Sequence, residues 1–168
     1  MPQNLEIKAR LRSFDSALAA CRRIKAIRKG VLKQTDTYFH LDRGRLKLRE
    51  IDGKKFELIY YTRPTRKGSR YSKYVIIPLK EPKAMRSLLS SLLGVARVVT
   101  KSRILFLYKN ARIHLDSVQG LGTFIEFEVL VKRGKRQARG LMEFLVLEFG
   151  LDNRSRVAGS YVDLLLKH

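Results

Sequence analysis

Alternation of apolar and charged residues at every second position is the feature of this chain that most restricts its fold. In the stretch NLEIKARL, residues 4–11, Leu5 and Ile7 fall on one side of an extended strand, and Glu6 and Lys8 fall on the other. The same alternation returns in residues 44–50, 98–106, 111–116 and 123–129. At least five strands therefore have one apolar face and one charged face.

Two architectures accommodate such strands. In an open sheet the apolar faces pack on helices and the charged faces meet solvent, whereas in a closed barrel the charged faces line the interior. The period alone does not decide between them, but the charges are sorted by type, which is unusual for a solvated face. The acidic positions are Glu6, Asp116, Glu126 and Glu128, and the basic positions include Lys8, Arg10, Arg45, Lys47, Arg49, Lys101, Arg103 and Arg112. Converging carboxylates suit a divalent cation such as Mg²⁺, and converging Arg and Lys side chains suit phosphate oxygens.

The net charge restricts the partners of the chain. Lys and Arg number 36 against 15 Asp and Glu, which gives a formal charge of +21 and an isoelectric point near 10.6. Self-repulsion on this scale indicates a polyanionic partner, either nucleic acid, an acidic membrane surface or a phosphorylated ligand. Charge alone does not choose among these three.

Length and composition favour one globular domain over residues 1–168, since 45% of the residues are hydrophobic. Cys21 is the only cysteine, so an intramolecular disulfide is excluded and a cysteine-based zinc site is disfavoured. No apolar run reaches the roughly 18 residues that a membrane span requires. Because Glu6 and Lys8 also interrupt any signal-peptide core, we predict a cytoplasmic protein with no membrane partner.

Periodicity and turn residues divide the chain into strands and helices. The predicted strands are residues 4–11, 34–41, 44–51, 54–64, 71–79, 97–109, 111–118 and 123–131. The predicted helices are residues 13–30, 81–94, 134–150 and 159–167. In the second helix we expect Met85, Leu88, Leu89 and Leu92 to face a core.

The strand motif N-L-E-I-K resembles the E-x-E-x-K signature of the CYTH superfamily, the triphosphate tunnel metalloenzymes. Further similar blocks follow in the family's order along nearly the whole chain. They are DTYF (36–39), GRLKLRE (44–50), YTRP (61–64), KSRILF (101–106), IHLDSVQGLGTFIEFEV (113–129) and GSYVDLL (159–165). The last two blocks most resemble the branch that contains the class IV adenylyl cyclases.

The resemblance implies an α+β fold in which an antiparallel, closed or nearly closed β-barrel forms a triphosphate tunnel with helices packed outside. It implies Glu6, Glu126 and Glu128 as ligands of Mg²⁺ or Mn²⁺. The implied triphosphate-binding cations are Lys8, Arg45, Lys47, Arg49, Arg63, Lys101, Arg103 and Arg112. Of these positions and their neighbours, Lys8, Arg103 and Asp116 are the predicted catalytic residues.

Two positions depart from the family pattern. Asn4 stands where the family has its first Glu, which removes one negative charge from the metal site and leaves an amide oxygen as a weaker ligand. Many hydrolytic members have a Lys near the C-terminal segment, where this chain has Ser160 before Tyr161. The second departure weakens the prediction of a hydrolase.

The predicted function is metal-dependent conversion of ATP to cyclic AMP and pyrophosphate inside the barrel. The first alternative is a triphosphatase that hydrolyses an inorganic or organic triphosphate. The second is a non-catalytic protein that binds polyphosphate, or nucleic acid weakly and non-specifically through its surface charge. A homodimer is left open. His114 lies between Arg112 and Asp116 at strand spacing, and we favour a hydrogen-bonded structural role for it over a proton shuttle.

Overall fold

The computed structural model describes residues 1–167 and consists of an eight-stranded antiparallel barrel with four helices. The strands are β1 (Gln3–Arg10), β2 (Ile27–Phe39), β3 (Arg45–Ile51), β4 (Lys55–Thr62), β5 (Arg70–Pro78), β6 (Val95–Tyr108), β7 (Ala111–Val118) and β8 (Gly122–Leu130). Their order around the barrel is β1-β5-β4-β3-β2-β6-β7-β8, and β1 pairs with β8 to close it. The predicted closed antiparallel barrel is therefore confirmed.

The strand register directs the charged faces into the barrel. Residues directly opposite each other in an antiparallel pair share a face of the sheet. Lys8 lies opposite Glu126, and Glu6 lies opposite Glu128, across the closure between β1 and β8. Arg103 of β6 lies opposite Asp116 of β7. The alternation in the sequence thus brings charged side chains from separate strands into one interior.

Two helices cover the outer, apolar face of one side of the barrel. The four helices are α1 (Phe14–Arg23), α2 (Pro82–Leu93), α3 (Lys135–Glu148) and α4 (Tyr161–Leu166). Cys21 of α1 and Leu145 of α3 are buried in one cluster with Ile7, Ile113 and Ile125 of strands β1, β7 and β8. Burial of this cluster, at about 25 cal/mol per Å² of apolar surface, holds the three strands that carry the carboxylates.

Helix α4 occupies a different place, because its side chains fill one end of the barrel interior. Tyr161 and Leu165 are buried with Val99, Val118 and Phe124, which share faces with the charged interior positions. The Tyr161 and Phe124 rings make an edge contact with centroids 5.0 Å apart. The barrel is therefore plugged at this end by the C-terminal helix.

The first predicted helix was too long. Helix α1 ends at Arg23, Lys25 takes a left-handed φ of 58°, and β2 begins at Ile27. A non-glycine residue in that conformation cannot continue a right-handed helix. Residues 27–30 instead extend β2, with a register irregularity between Arg28 and Gly30.

The prediction that α2 faces a core was also wrong. Leu88 is 53% exposed and Leu92 is 69% exposed, and no residue of α2 is buried. This helix spans the connection from β5 to β6 and contacts β2, but its contacts leave even Met85 and Leu89 only half-buried. None of the helices described is long and apolar enough to cross a membrane.

Candidate active site in the barrel

The barrel contains a cavity of about 670 Å³ that is partly open to solvent and is lined mainly by charged side chains. This volume includes space that is open to solvent. Its carboxylates are Glu6, Glu126 and Glu128. Its cations are Lys8, Lys47, Arg49, Arg63, Lys101, Arg103 and Arg112. Ten of the predicted site residues therefore share one cavity.

Two predicted site residues do not line the cavity. Asp116 is fully buried behind Arg103, which donates to both its carboxylate oxygens at 2.7 Å. Arg45 lies at the plugged end, where its guanidinium donates to Asp163 of α4 at 2.6 Å and its side chain stays 43% exposed. Arg45 thus ties the plug to β3, and Asp116 contacts Arg103 rather than the open space.

The acidic side of the cavity is formed by β1, β7 and β8, and each carboxylate there has a cation beside it. Arg63 donates to Glu6, Lys8 lies 3.5 Å from Glu126, and Arg112 lies 3.7 Å from Glu128. Burial alone would raise the pKa of Glu126, but Lys8 and Arg103 hold it well below its ordinary value. Burial does raise the pKa of Glu6.

The acidic side also offers a ligand set for a divalent ion. Ligand atoms of His114, Glu126 and Glu128 all lie within 4.8 Å of one another. The Oδ1 atom of Asn4, which lines the same cavity, is buried without a hydrogen-bond partner among the described residues. Clustered carboxylate oxygens and a free amide oxygen are donors that divalent cations bind, so these residues fit a metal ion.

The opposite side, formed by β2, β3 and β6, is rich in cations. Asp36 accepts from Lys47 and from Arg49, both at 2.9 Å, and Lys101 lies 3.9 Å away. Burial would raise the pKa of Asp36, but these three cations hold it well below its ordinary value. The sequence alone does not separate a ligand-contacting role for Asp36 from that of a hairpin cap, whereas the register places it on the inward face with Tyr38.

Three lysines of the cavity have lowered pKa values, because their surroundings disfavour the protonated, charged form. Burial lowers the pKa of Lys8 to about 8, against the attraction of Glu126. Burial and the neighbouring Arg49 lower the pKa of Lys47 to about 8. Burial and Arg103 lower the pKa of Lys101 well below its ordinary value. An anion bound in the cavity would stabilise the charged form of all three lysines and raise their pKa values.

A chain of contacts fixes Arg103. The Tyr161 hydroxyl donates to Asp116 at 2.7 Å, and Asp116 in turn accepts both Arg103 bonds. The Tyr161 ring also lies under Lys8, whose Nζ atom is 3.7 Å from the ring centroid. The plug helix therefore orients two cavity cations at once.

One wall of the cavity is apolar and aromatic. It is formed by Tyr38, Ile59, Tyr61, Tyr74 and Ile76. Sequence reasoning did not predict this wall, although Ile59 and Tyr61 share the strand face of Arg63 in residues 54–64. The cavity thus has surfaces for a polyanion and for an apolar group side by side.

The Nδ1 atom of His114 lacks the hydrogen bond that the predicted structural role would give it. The side chain is 3% exposed, and Nδ1 is buried with no hydrogen-bond partner in the part of the chain described. Burial and the adjacent Arg103 lower its pKa to about 4, so the imidazole is neutral near pH 7.

Residues 2–161 match the family model of the CYTH domain. The chain belongs to the CYTH family. A comparison with curated protein sequences gives no match. Family membership and the barrel together give this CYTH chain the tunnel fold that its sequence motifs imply.

Solved structures of other proteins share this CYTH fold. The PH1012 protein of Pyrococcus horikoshii OT3 aligns with a TM-score of 0.85 at 21% identity, over 96% of this chain and 98% of that one. A "putative adenylate cyclase" of Vibrio parahaemolyticus aligns with a TM-score of 0.77 at 19% identity, over 97% of each chain. HpAC1 of Hippeastrum, a "putative adenylyl cyclase" with a dominant triphosphatase activity, aligns with a TM-score of 0.69 at 15% identity, over 98% of this chain and 95% of that one. These likenesses establish the fold.

Proposed function

We propose that this CYTH protein is a divalent-metal-dependent enzyme that binds a nucleoside triphosphate in the barrel and converts ATP to cyclic AMP and pyrophosphate. The observation that carries the proposal is the composition of the cavity. Seven cations, three carboxylates and an apolar wall surround one space. A nucleoside triphosphate joined to a divalent ion presents matching groups, namely phosphates, a metal ion and a base.

The charge balance of the cavity supports a polyphosphate ligand. Seven cations line the cavity, against its three carboxylates and the buried Asp36 and Asp116 that contact four of these cations, so the unliganded site keeps an excess of about two positive charges. Lys47, Lys101 and Arg103 are buried. Hydrogen bonds from these cations to phosphate oxygens would be charge-assisted, and burial would keep them weakly screened by salt. A triphosphate supplies the several negative charges that this arrangement lacks.

The residues of the cavity have separate roles in the proposed reaction. The 3′ oxygen of the ribose attacks the α-phosphorus, the bond to the bridging oxygen breaks, and pyrophosphate leaves with the proton that the 3′ hydroxyl gives up. Arg103, held by Asp116, and Lys101 stabilise the charge that develops on the leaving pyrophosphate. Glu126 and Glu128 would hold a divalent ion, which would supply polarisation of a phosphoryl oxygen. Asp116 acts as a positioning residue, through Arg103.

The apolar wall supports an organic substrate over inorganic triphosphate. Tyr61 and Tyr74 offer aromatic faces, and Ile59 and Ile76 offer aliphatic contacts, beside the charged region. Base stacking on aromatic side chains is typically worth about 1–3 kcal/mol. Inorganic triphosphate would leave this wall unused.

Hydrolysis of a triphosphate is the second candidate. It is supported by the fold shared with HpAC1 of Hippeastrum, which has a dominant triphosphatase activity. In this reaction water attacks the terminal phosphorus, and the same cations bind the triphosphate. The absence of a Lys beside Tyr161, where the chain has Ser160, weighs against it.

Product analysis separates the two candidates. The protein is incubated with ATP or with tripolyphosphate in the presence of Mg²⁺ or Mn²⁺, and the products are resolved by chromatography. We expect cyclic AMP and pyrophosphate from ATP. Orthophosphate without cyclic AMP would establish the triphosphatase instead.

A thermal shift experiment tests whether the barrel or the basic surface binds the polyanion. Tripolyphosphate with Mg²⁺ should raise the melting temperature, and about 0.3 M salt should not abolish the shift, because the contacts are buried. Binding of nucleic acid to surface charge should fade over the same range of salt. If tripolyphosphate gives no shift while RNA binds tightly in that salt, the chain is a surface-binding protein and the proposal fails.

A further inference from the structure

We propose that His114 is a metal ligand, so that the barrel binds a divalent ion through one imidazole nitrogen and the carboxylates of Glu126 and Glu128 and prefers Mn²⁺ to Mg²⁺. This inference rests on the metal dependence in the proposed function. It assigns the metal site a nitrogen donor, which the sequence motifs did not indicate.

The geometry of β7 and β8 places the three donors together. His114 lies directly opposite Glu126 across the pair, and Glu128 follows two residues later on the same face. All three ligand atoms lie within 4.8 Å of one another. Three ligands about 2.0–2.2 Å from one ion are at most about 3.8 Å apart when they are equally spaced, so side-chain adjustments of up to about 1 Å would bring these atoms into one coordination sphere.

Two buried polar atoms on strands of the acidic side, β1 and β7, have no hydrogen-bond partner in residues 1–167. They are Nδ1 of His114 and Oδ1 of Asn4, and their residues are 3% and 4% exposed. Buried polar atoms are nearly always hydrogen-bonded, so an unpaired imidazole nitrogen in the residue grouped with Glu126 and Glu128 indicates a missing ligand, and Asn4 adds an unpaired oxygen two residues before Glu6. A metal ion would satisfy such donors, whereas an anion would be repelled by Glu126 and Glu128.

Glu6, the remaining carboxylate of the cavity, lies outside the group of His114, Glu126 and Glu128. Arg63 donates to its side chain. The neutral imidazole of His114 therefore supplies a third donor without a third negative charge. The imidazole would thereby supply a ligand in a chain whose Asn4 is a weaker ligand than the Glu that the family has at this position.

The donor set determines which ion is preferred. Mg²⁺ takes oxygen ligands in strict octahedral geometry and rarely accepts imidazole. Imidazole nitrogen favours first-row transition ions, and carboxylates suit Mn²⁺. A site with one nitrogen and two carboxylates should therefore bind Mn²⁺ more tightly than Mg²⁺.

The decisive experiment detects nitrogen on the metal directly. The chain has three histidines, so a tag-free H40Q/H168Q variant leaves His114 as the only one. Mn²⁺ alone is bound to this variant, and electron spin echo modulation is recorded with natural histidine and with ¹⁵N-histidine. We expect ¹⁴N modulation that changes to the ¹⁵N pattern on labelling. Bound Mn²⁺ without histidine nitrogen modulation, or no Mn²⁺ binding, would overturn the inference.

A His114→Gln variant in the same background tests the selectivity by calorimetric titration with Mn²⁺ and with Mg²⁺. Mn²⁺ affinity should fall at least about tenfold. Loss of a residue that merely hydrogen-bonds a metal ligand already costs about that much affinity. Mg²⁺ affinity should change much less. An equal loss for both ions, or none, would contradict the inference. The labelling experiment needs no change at His114 and so does not depend on this variant folding.

These outcomes are independent of the proposed reaction. Production of cyclic AMP from ATP with Mn²⁺ that carries no histidine nitrogen would leave the proposed function intact and remove His114 from the metal site. Mn²⁺ ligated by histidine nitrogen, without turnover of ATP or tripolyphosphate, would keep His114 in the metal site and refute the proposed function.

Discussion

The two sides of the barrel cavity are both charged but are balanced differently. On the acidic side each carboxylate has a cation nearby, as with Glu6 and Arg63 or Glu128 and Arg112. On the cationic side one carboxylate, Asp36, contacts three cations. The acidic side is close to neutral, whereas the cationic side has an excess of positive charge.

This difference separates what each side can bind. Under the proposed function, a metal ion on the acidic side would compete with the side-chain cations that now neutralise its carboxylates. The cationic side instead lacks anions, and burial of Lys47 and Lys101 makes this lack costly. The two sides are therefore suited to the two parts of one ligand, a metal ion and a polyphosphate.

The largest effect is expected where the two sides meet, at the pair of Arg103 and Asp116. An Arg103→Met variant leaves the buried Asp116 carboxylate without its guanidinium, and loss of one partner of a buried pair typically costs about 3–5 kcal/mol. Urea unfolding should show this loss. The R103M/D116N double variant should recover a large part of it. If the double variant is as unstable as the single one, Asp116 does not depend on Arg103.

A second prediction concerns the acidic side alone. Glu126→Gln preserves side-chain shape and should leave the fold intact, but it removes a charged metal ligand. Metal-dependent turnover should fall by about a hundredfold, at the upper end of the cost of losing a metal-site partner. The matched control is Glu143→Gln, on the exposed face of α3, which should behave as the unmodified protein. Full activity of Glu126→Gln at limiting Mg²⁺ would remove Glu126 from the metal site.

The alternation of residue types made most of this architecture predictable. A one-residue shift in strand register would move every charged side chain of that strand to the outer face. The inward orientation of Glu6, Lys8, Lys101 and Arg103 therefore follows from the two-residue period of the strands. The seven strands after β1 were located within a few residues, apart from the first half of β2. The order of motifs then indicated that these strands close into a barrel.

The features that were missed depend on contacts between distant segments. Ile24 and Ile27 have helical spacing to the preceding apolar residues, and only the backbone at Lys25 shows that the helix has ended. The apolar spacing of α2 predicted a buried face because periodicity does not reveal whether a partner surface exists. The contact of Asp36 with Lys101 joins residues far apart in sequence. Such pairing cannot be derived from one strand.

The third prediction tests the cationic side through pH. Since burial lowers the pKa of Lys47 to about 8, this side chain loses its charge in the folded protein as the pH rises through that value. Affinity for tripolyphosphate should fall about tenfold between about pH 7 and about pH 9, because a charge-assisted contact is worth about 1.5–3 kcal/mol. Calorimetric titration at several pH values measures this. A Lys47→Arg variant keeps its charge and should show a shallower fall.

Stability of the unliganded protein should change in the opposite direction over this range. The pKa of Lys47 is about 8 when folded and 10.5 ordinarily, so between these values the unfolded chain binds more protons than the folded one. Stability therefore rises with pH in this window as the buried charge is removed. Affinity and stability that both fall with pH would contradict the pKa assigned to Lys47.

The smallest effect is expected from restoring a carboxylate at position 4. Asn4→Glu adds a fourth acidic group to the cavity, next to an acidic side that is already neutralised by side chains. Without metal this variant should be less stable than the unmodified protein, because the added charge is buried near Glu6 and Glu128.

With metal the sign of the Asn4→Glu effect should reverse. An added oxygen ligand with a negative charge should raise Mg²⁺ affinity by about threefold to tenfold, since charge count tunes such sites. The Mn²⁺ preference should shrink, because the new ligand favours an all-oxygen sphere while His114 stays in place. Melting temperatures in chelator and in Mg²⁺ measure both effects, with Asn4→Gln as the uncharged control. A variant that is destabilised equally with and without Mg²⁺ would place position 4 outside the metal site and leave the acidic side with a smaller ligand set.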